Sequence, residues 1–276
     1  MQVGIHNDRE QRALFLAAIC GQTYAQFTHT DGSFVVPLQF KVIHTIEARS
    51  MNSIWEVFGF ILESPDEIVI AFRGTSSTSN WVSNINASQK RFKYITEHCL
   101  THRGFTDIYS SARERIISVL RSLSSDKALF VTGHSLGAAL ATLCAVDAAA
   151  NTHYRSPSLY TYGSPRTGDP DFAKAAGKYV PDSFRIANPF DIVTYVPPSI
   201  YKLPKRDKKY YYTHIQTRFP LSFQNGAVAL NHMIGSYFAA LAKLQPEFAE
   251  LLNVTNPGLC PGLEVKPIRE GTIVVD

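Results

Sequence analysis

Apolar positions along the 276-residue chain recur with two alternating periods. Leu14, Phe15, Ala18 and Ile19 follow helical spacing behind Asp8, a residue able to cap a first helix. Two extended runs follow, near 40–48 and 54–62, and then "ESPDE" (63–67), a turn whose backbone Pro65 restricts. "EIVIAF" (67–72) predicts a strand ending at Arg73-Gly74, so the early strands read as an antiparallel group. The pattern then dissolves: 75–89 is small and polar, with Trp81, Val82 and Ile85 as isolated apolar points. Ile108, Ala112, Ile116, Val119, Leu120 and Leu123 form one stripe of a helix over 105–124. From there strands at 128–133, 158–163 and 183–188 alternate with helices at 136–150 and 170–177. That alternation predicts an α/β fold with a mostly parallel central sheet flanked by helices and antiparallel strands near the N-terminal side. A strand at 209–217, a helix at 230–244 and an irregular tail from 256 complete the expectation. No repeat or boundary divides the chain, so residues 1–276 read as one domain.

One junction breaks this rhythm. The strand Phe130-Val131-Thr132 runs directly into Gly133-His134-Ser135-Leu136-Gly137 and then into alanine-rich helix. A Gly-x-Ser-x-Gly pentapeptide alone arises by chance in roughly one chain of this length in ten. Between a strand and a helix it has a chemical meaning, the nucleophile elbow. The turn is so tight that side chains flanking the serine would collide, hence glycine on either side. It lifts the Ser135 hydroxyl clear of the sheet and sets the Leu136 N–H at a helix N-terminus, where a developing oxyanion is favoured.

A serine hydroxyl is a weak nucleophile without a base, so the elbow requires a histidine and a carboxylate, here expected in the order acid then histidine. Asp191 lies just past strand 183–188, at the carboxyl end of a parallel strand, where catalytic groups gather. Asp169 and Asp171 are better placed to cap the helix at 170, and Asp182 precedes its strand and falls at the wrong end. Asp191 has a blander role open to it, as a turn aspartate bonding its own backbone. Two histidines follow. His214 sits inside "YYYTHIQTRF", where a strand would hold it, whereas His232 precedes a helix after a loop and can reach across to the serine. His232 is therefore preferred. His134 adjoins the serine, but the turn is expected to point it elsewhere.

Composition adds limits rather than chemistry. Apolar residues make up 45% of the chain and charged residues 18%, enough for a large core. A net charge of +4 is too small to argue for nucleic acid as a partner. No apolar run is long enough to span a bilayer, since 136–150 is interrupted by Asp147. The N-terminus lacks a basic start, an apolar block and a small-residue cleavage site, so the expectation is a chain inside the cell, or a secreted mature form with an added Met1. Cys20, Cys99, Cys144 and Cys260 are widely spaced, without metal-ligand clustering, so neither metal nor cofactor is expected. A Cys20–Cys260 bridge would tie the ends together, although nothing in the sequence requires it.

Six segments in fixed order resemble the class 3 lipase family, the fungal-type triacylglycerol lipases: "IVIAFRGTSSTSNWVSN" (68–84), "HRGFTDIY" (102–109), "VTGHSLGAALATL" (131–143), "YTYGSPRTGDPDFA" (160–173), "RIANPFDIVTYVPP" (185–198) and "NHMIGSYF" (231–238). The resemblance covers about 68–240 and implies an α/β-hydrolase fold with Ser135, Asp191 and His232 as a triad. It adds Thr75 as an oxyanion-hole residue beside Leu136. It also implies an amphipathic lid near 76–88, carrying Trp81, Val82 and Ile85, that opens at a lipid surface. The implied activity is hydrolysis of acylglycerols through an acyl-enzyme. Phospholipase A1 and feruloyl-type esterase activities are alternatives, as is a lipid-binding module without turnover. Against the resemblance, this chain has few cysteines and is expected to carry no secretion signal. The basic run at 202–209 reads as a solvated loop.

Overall fold

A computed structural model describes residues 9–75, 87–202, 208–215 and 217–263. The strands are β1 (Lys41–Arg49), β2 (Trp55–Glu63), β3 (Glu67–Phe72), β4 (Gln89–Arg91), β5 (Leu100–His102), β6 (Ala128–His134), β7 (Ser158–Tyr162), β8 (Ser183–Ala187), β9 (Ile200–Lys202), β10 (Lys209–Tyr211) and β11 (Thr217–Pro220). The α-helices are α1 (Arg9–Thr28), α2 (Arg103–Ser122), α3 (Leu136–Asn151), α4 (Pro170–Tyr179), α5 (Ile234–Leu244) and α6 (Pro246–Thr255). Seven strands form one sheet in the order β1-β2-β3-β6-β7-β8-β11. The first three pair antiparallel, and β3 through β11 run parallel.

Two cores sandwich this sheet. On one face Ile68, Ile70, Val131 and Leu159 pack against α2, α3 and α4. On the other, Phe60, Val69, Tyr162 and Ile186 pack against α1, α5 and α6. The alanine run of α3 lets that helix lie close against β6, and nearly every residue in it is buried. Its one charge, Asp147, interrupts the apolar run because it is fully paired: Arg113 forks onto both carboxylate oxygens at 2.6 and 3.0 Å, and Tyr109 donates at 2.7 Å. Removing one partner of such a buried pair typically costs about 3–5 kcal/mol.

Three expectations need correction. The run at 209–217 is not one strand. Lys209–Tyr211 pairs antiparallel with β9 in a separate ribbon, whereas Thr217–Pro220 joins the main sheet beside β8. Uniform β propensity carries no record of which neighbour each half will find. His214, expected inside that strand, instead sits between the two halves and bonds the Thr194 carbonyl at 2.7 Å. The last helical region begins at Ile234 rather than 230 and is followed by a further helix, α6, started by Pro246. All four cysteines are buried free thiols, so no Cys20–Cys260 bridge exists; Cys20 Sγ lies 3.4 Å from Thr132 Oγ1. No helix among the described residues is long and apolar enough to cross a membrane.

Two buried histidines, His102 and His134, and the half-buried His214 are expected to make the fold acid-sensitive. Burial pushes His102 and His214 down to about 3, helped in His214 by the Arg185 charge, and it pushes His134 well below its ordinary value. Folded, these rings stay neutral, while the unfolded chain takes up their protons below about 6.5. Their stabilisation is therefore complete above 6.5 and lost as pH falls. Three protons give a slope of up to about 4 kcal/mol per pH unit. Urea unfolding at pH 7, 6 and 5 is expected to show this loss, and a flat stability across that range would contradict it.

Candidate active site

Ser135 occupies the turn between β6 and α3 with φ 58° and ψ −127°, a left-handed backbone that a side chain rarely adopts. Such strain costs of order 1–3 kcal/mol and persists where surroundings enforce it. Here they do: a Cβ at Gly133 would strike the Gly137 carbonyl, and one at Gly137 would strike the carbonyls of Phe72 and Arg73. Both glycines of the pentapeptide are thus required by contact, and Ser135 N donates to the Tyr162 carbonyl at 3.0 Å.

Two strands further along, Asp191 closes the turn after β8 and caps a short 3₁₀ helix, Ile192–Tyr195. Its two oxygens divide the work. Oδ1 accepts the Val193 N–H at 2.9 Å, the local turn role, and Oδ2 accepts His232 Nδ1 at 2.7 Å. Tyr237 donates to the same Oδ2 at 2.7 Å; burial and the nearby carboxylate hold its hydroxyl protonated far above the usual range. With Nδ1–H committed to Asp191, His232 presents the lone pair of Nε2. Helix α5 starts two residues later, so His232 sits in the preceding turn, held by its N–H on the Ala229 carbonyl at 3.1 Å.

Three polar atoms at this end of the sheet are buried and without a hydrogen-bond partner among the described residues: Ser135 Oγ, His232 Nε2 and Thr75 Oγ1. Buried polar groups are otherwise almost always paired. Ser135 Oγ and His232 Nε2 do not bond each other in this state, and catalytic bonds of this kind often close only around substrate. Leu136 is the first residue of α3, so its N–H has no carbonyl within the helix to reach. Of the sequence-derived residues, the structure brings Ser135, Leu136, Asp191, His232 and Thr75 to one end of the sheet. Trp81, Val82 and Ile85 lie outside the described residues.

Residues without an assigned role in the sequence hold this arrangement together. His134 does not point away. Its ring lies 4.7 Å from the His232 ring, and Nε2–H donates to the His232 carbonyl at 2.6 Å. Its Nδ1 then accepts the Tyr24 hydroxyl at 2.6 Å, and that oxygen accepts the Gly74 N–H at 3.0 Å. A continuous chain thus links the residue before Thr75 to the backbone of His232. Arg73 pins the same segment. It is buried over Phe27 and Phe58 and donates to the carbonyls of Val57 and Gly74 and to Glu56. Spacing could not reveal these links, because Tyr24 comes from a helix over a hundred residues from His134.

Tyr24→Phe is expected to leave Gly74 N–H and His134 Nδ1 unpaired. Stability should fall by about 1–3 kcal/mol, and kcat by about 10–100-fold with KM little changed, as misplacement near 1 Å does. Steady-state kinetics beside thermal unfolding check this; wild-type kcat in the variant would remove the positioning role.

Gly163 is equally constrained. It follows β7 with φ 55°, and a Cβ there would sit 2.7 Å from Asp191 Oδ2 and 3.1 Å from His232 Cε1 and Nδ1. Gly163→Ala is therefore expected to push the carboxylate and imidazole apart, lowering kcat by about 100-fold or more. The check is an ester assay on folded variant, and near-normal turnover would show that the pair can yield.

A family model described as "Lipase (class 3)" matches residues 69–201. A lipase of Rhizomucor miehei is 33% identical over 158 residues, covering 55% of this chain and 43% of that protein. Phospholipase A1-II 1 of Oryza sativa subsp. indica is 32% identical over 181 residues, covering 53% and 45%. The matched segment thus spans less than half of each of these relatives. Among solved structures, a mono- and diacylglycerol lipase from Aspergillus oryzae superposes with TM-score 0.64 at 25% identity, covering 80% of this chain and 82% of that one. The architecture is the α/β-hydrolase fold.

Proposed function

We propose that the chain, whose residues 69–201 match the class 3 lipase model, is a serine hydrolase cleaving carboxylic esters of lipids, acylglycerols foremost. The observation that carries the reading is the set of buried atoms without a partner among the described residues, Ser135 Oγ, His232 Nε2 and Thr75 Oγ1, beside an Asp191–His232 bond of 2.7 Å. A protein that only bound lipid would gain nothing from leaving three polar groups buried and unpaired, each at about 1–3 kcal/mol.

In this reading Ser135 Oγ attacks the ester carbonyl while His232 Nε2 takes its proton. The carbonyl π electrons move onto oxygen, and the oxyanion is met by the Leu136 N–H and by the Thr75 N–H and hydroxyl. Asp191, held by its three donors, stabilises the imidazolium. The intermediate collapses by breaking the bond to the alcohol oxygen, which leaves with the proton from Nε2. Water, deprotonated by the same nitrogen, then attacks the acyl-enzyme; the acid is released and Ser135 regains its proton. Each oxyanion donor contributes about 2.7–4 kcal/mol to the transition state.

The lipid character rests on the rim. Phe190 and Ile192 flank Asp191, and Leu230 and Met233 flank His232; all four are exposed. Such grouping beside a catalytic centre marks an apolar partner. Residues 1–276 are read as one catalytic domain; the lid expected near 76–88, with Trp81, Val82 and Ile85, falls almost wholly outside the described residues. The alternative of phospholipase A1 activity draws on the rice relative named for it.

The test is a panel of acylglycerols, phospholipids and aryl esters, each offered dissolved and dispersed, with Ser135→Ala as control. A rise in rate when acylglycerols become dispersed supports the proposal. Turnover confined to phospholipids moves the substrate class, and no turnover with an unreactive Ser135 toward a fluorophosphonate ends the hydrolase reading.

A further inference from the structure

The β1–β2 hairpin carries an exposed apolar cluster that neither the catalytic residues nor the lid explains. Within its tip, residues 50–55, Met51, Ile54 and Trp55 are exposed by 46, 60 and 51%. Three large apolar side chains within five positions differ from scattered surface leucines, which carry no message. Met51 and Ile54 lie in the turn past the paired strands, and Trp55 begins β2 opposite Arg49, so the sheet core does not account for their apolar character.

Register shows which way it projects. Gly59 lies opposite Phe72, and the Arg73 N–H bonds the Phe58 carbonyl at 2.8 Å. In turn Phe72 is level with Gly133 on β6. Trp55 and the turn before it therefore extend beyond the level of Ser135, at the same end of the sheet. They stand two strands away, or about 10 Å sideways. The tip leans on the start of α2: a Cβ at Gly104 would come 3.0 Å from Met51 Cε, and Arg115 lies 5.6 Å from the Trp55 ring centre. Arg49, Arg103 and Arg115 are all exposed around it, Arg115 also reaching Glu47 at 3.5 Å. An apolar tip with an indole at its base and guanidinium groups behind it has the chemistry of a membrane interface: Trp favours the headgroup zone, and Arg meets anionic lipid.

We propose that this hairpin tip docks the protein onto anionic lipid surfaces, fixing the mouth above Ser135 against the bilayer independently of the lid. The proposal rests on the reading of the chain as a lipid hydrolase for its purpose, but docking is measured without turnover. The rim at Phe190, Leu230 and Met233 and the hairpin tip then form two separated footholds, and a surface held at two points presents one orientation of the mouth.

The chain has two tryptophans, Trp55 and Trp81, so each can be made the sole reporter. In a Ser135→Ala background, Trp81→Phe leaves Trp55 alone. Vesicles of phosphatidylcholine with phosphatidylglycerol are expected to shift its emission to the blue, and lipids with brominated chains to quench it. Salt should weaken the effect. Ile54→Asp should lower the vesicle partition coefficient by about 10–100-fold, the value of one buried large apolar side chain. In an otherwise wild-type chain it should leave hydrolysis of a dissolved short-chain ester unchanged. The exposed position makes misfolding no explanation, and a thermal unfolding curve verifies it.

Unchanged Trp55 emission with vesicles, while Trp81 in the Trp55→Phe variant responds, would overturn the proposal in favour of docking by the lid alone. A blue shift that grows with protein concentration without vesicles would overturn it in favour of a second copy. Vesicle binding through the tip by a chain that hydrolyses no ester would leave docking standing and remove the proposed function. Interfacial hydrolysis unaffected by Ile54→Asp would do the reverse.

Discussion

Ser135→Ala is expected to lower kcat on any ester substrate by about 10⁴–10⁶-fold while leaving the folded protein at least as stable as before. The two halves of this expectation have one cause. Ser135 Oγ is fully buried and makes no hydrogen bond among the described residues, so removing it deletes an unsatisfied group and breaks no contact. The backbone strain at φ 58° remains, because Gly133, Gly137 and the Tyr162 carbonyl enforce it and not the hydroxyl. Relief of one unpaired hydroxyl is worth up to about 1 kcal/mol. Steady-state kinetics and urea unfolding on the same preparation test both. Residual turnover within ten-fold of wild type would mean that another group performs the attack. A marked loss of stability would mean that the hydroxyl is structural.

Asp191→Asn is the second large effect, expected at about 10⁴-fold in kcat near neutral pH. Asp191 serves three donors: Val193 N–H at Oδ1, and His232 Nδ1–H with Tyr237 O–H at Oδ2. An amide has only one acceptor oxygen. If that oxygen keeps Val193, the NH₂ faces His232 and forces the imidazole into the opposite tautomer, with Nε2 protonated and unable to take a proton from Ser135. If the amide turns over, the NH₂ meets the Val193 N–H and the 3₁₀ cap is lost. Either arrangement leaves one donor facing another, a loss of about 1–3 kcal/mol of stability. The double variant with Ser135→Ala should be no slower than Ser135→Ala alone, since residues acting as a unit are not additive. A kcat for Asp191→Asn within ten-fold of wild type would show that His232 is oriented without the carboxylate.

Much of this was legible residue by residue. The two flanking glycines of Ser135 announce a steric requirement, and contact with the Gly137, Phe72 and Arg73 carbonyls is the physical form of it. Asp191 was identifiable because it follows a parallel strand, where only loop residues reach the rim. The preference for His232 over His214 rests on its place before a helix and on a strand holding His214; the structure instead leaves His214 between two strands on the Thr194 carbonyl and pairs His232 with Asp191. The alternation of strands and helices implied the parallel half of the sheet, since each crossover returns the chain to the same edge direction.

What remained hidden has a common character. Tyr24 meets His134 across 110 positions, and Tyr237 meets Asp191 across 46. Gly163 stands in a turn that is unremarkable until Asp191 and His232 are packed onto it. The run at 209–217 divides because two different neighbours compete for its ends. By itself the sequence determined the local conformations, the elbow and the order of the chemical groups, since sterics and hydrophobic period act between near neighbours. Only the tertiary structure decided which lone pairs face which donors, because that depends on distances between segments that the chain brings together only by packing both faces of the sheet.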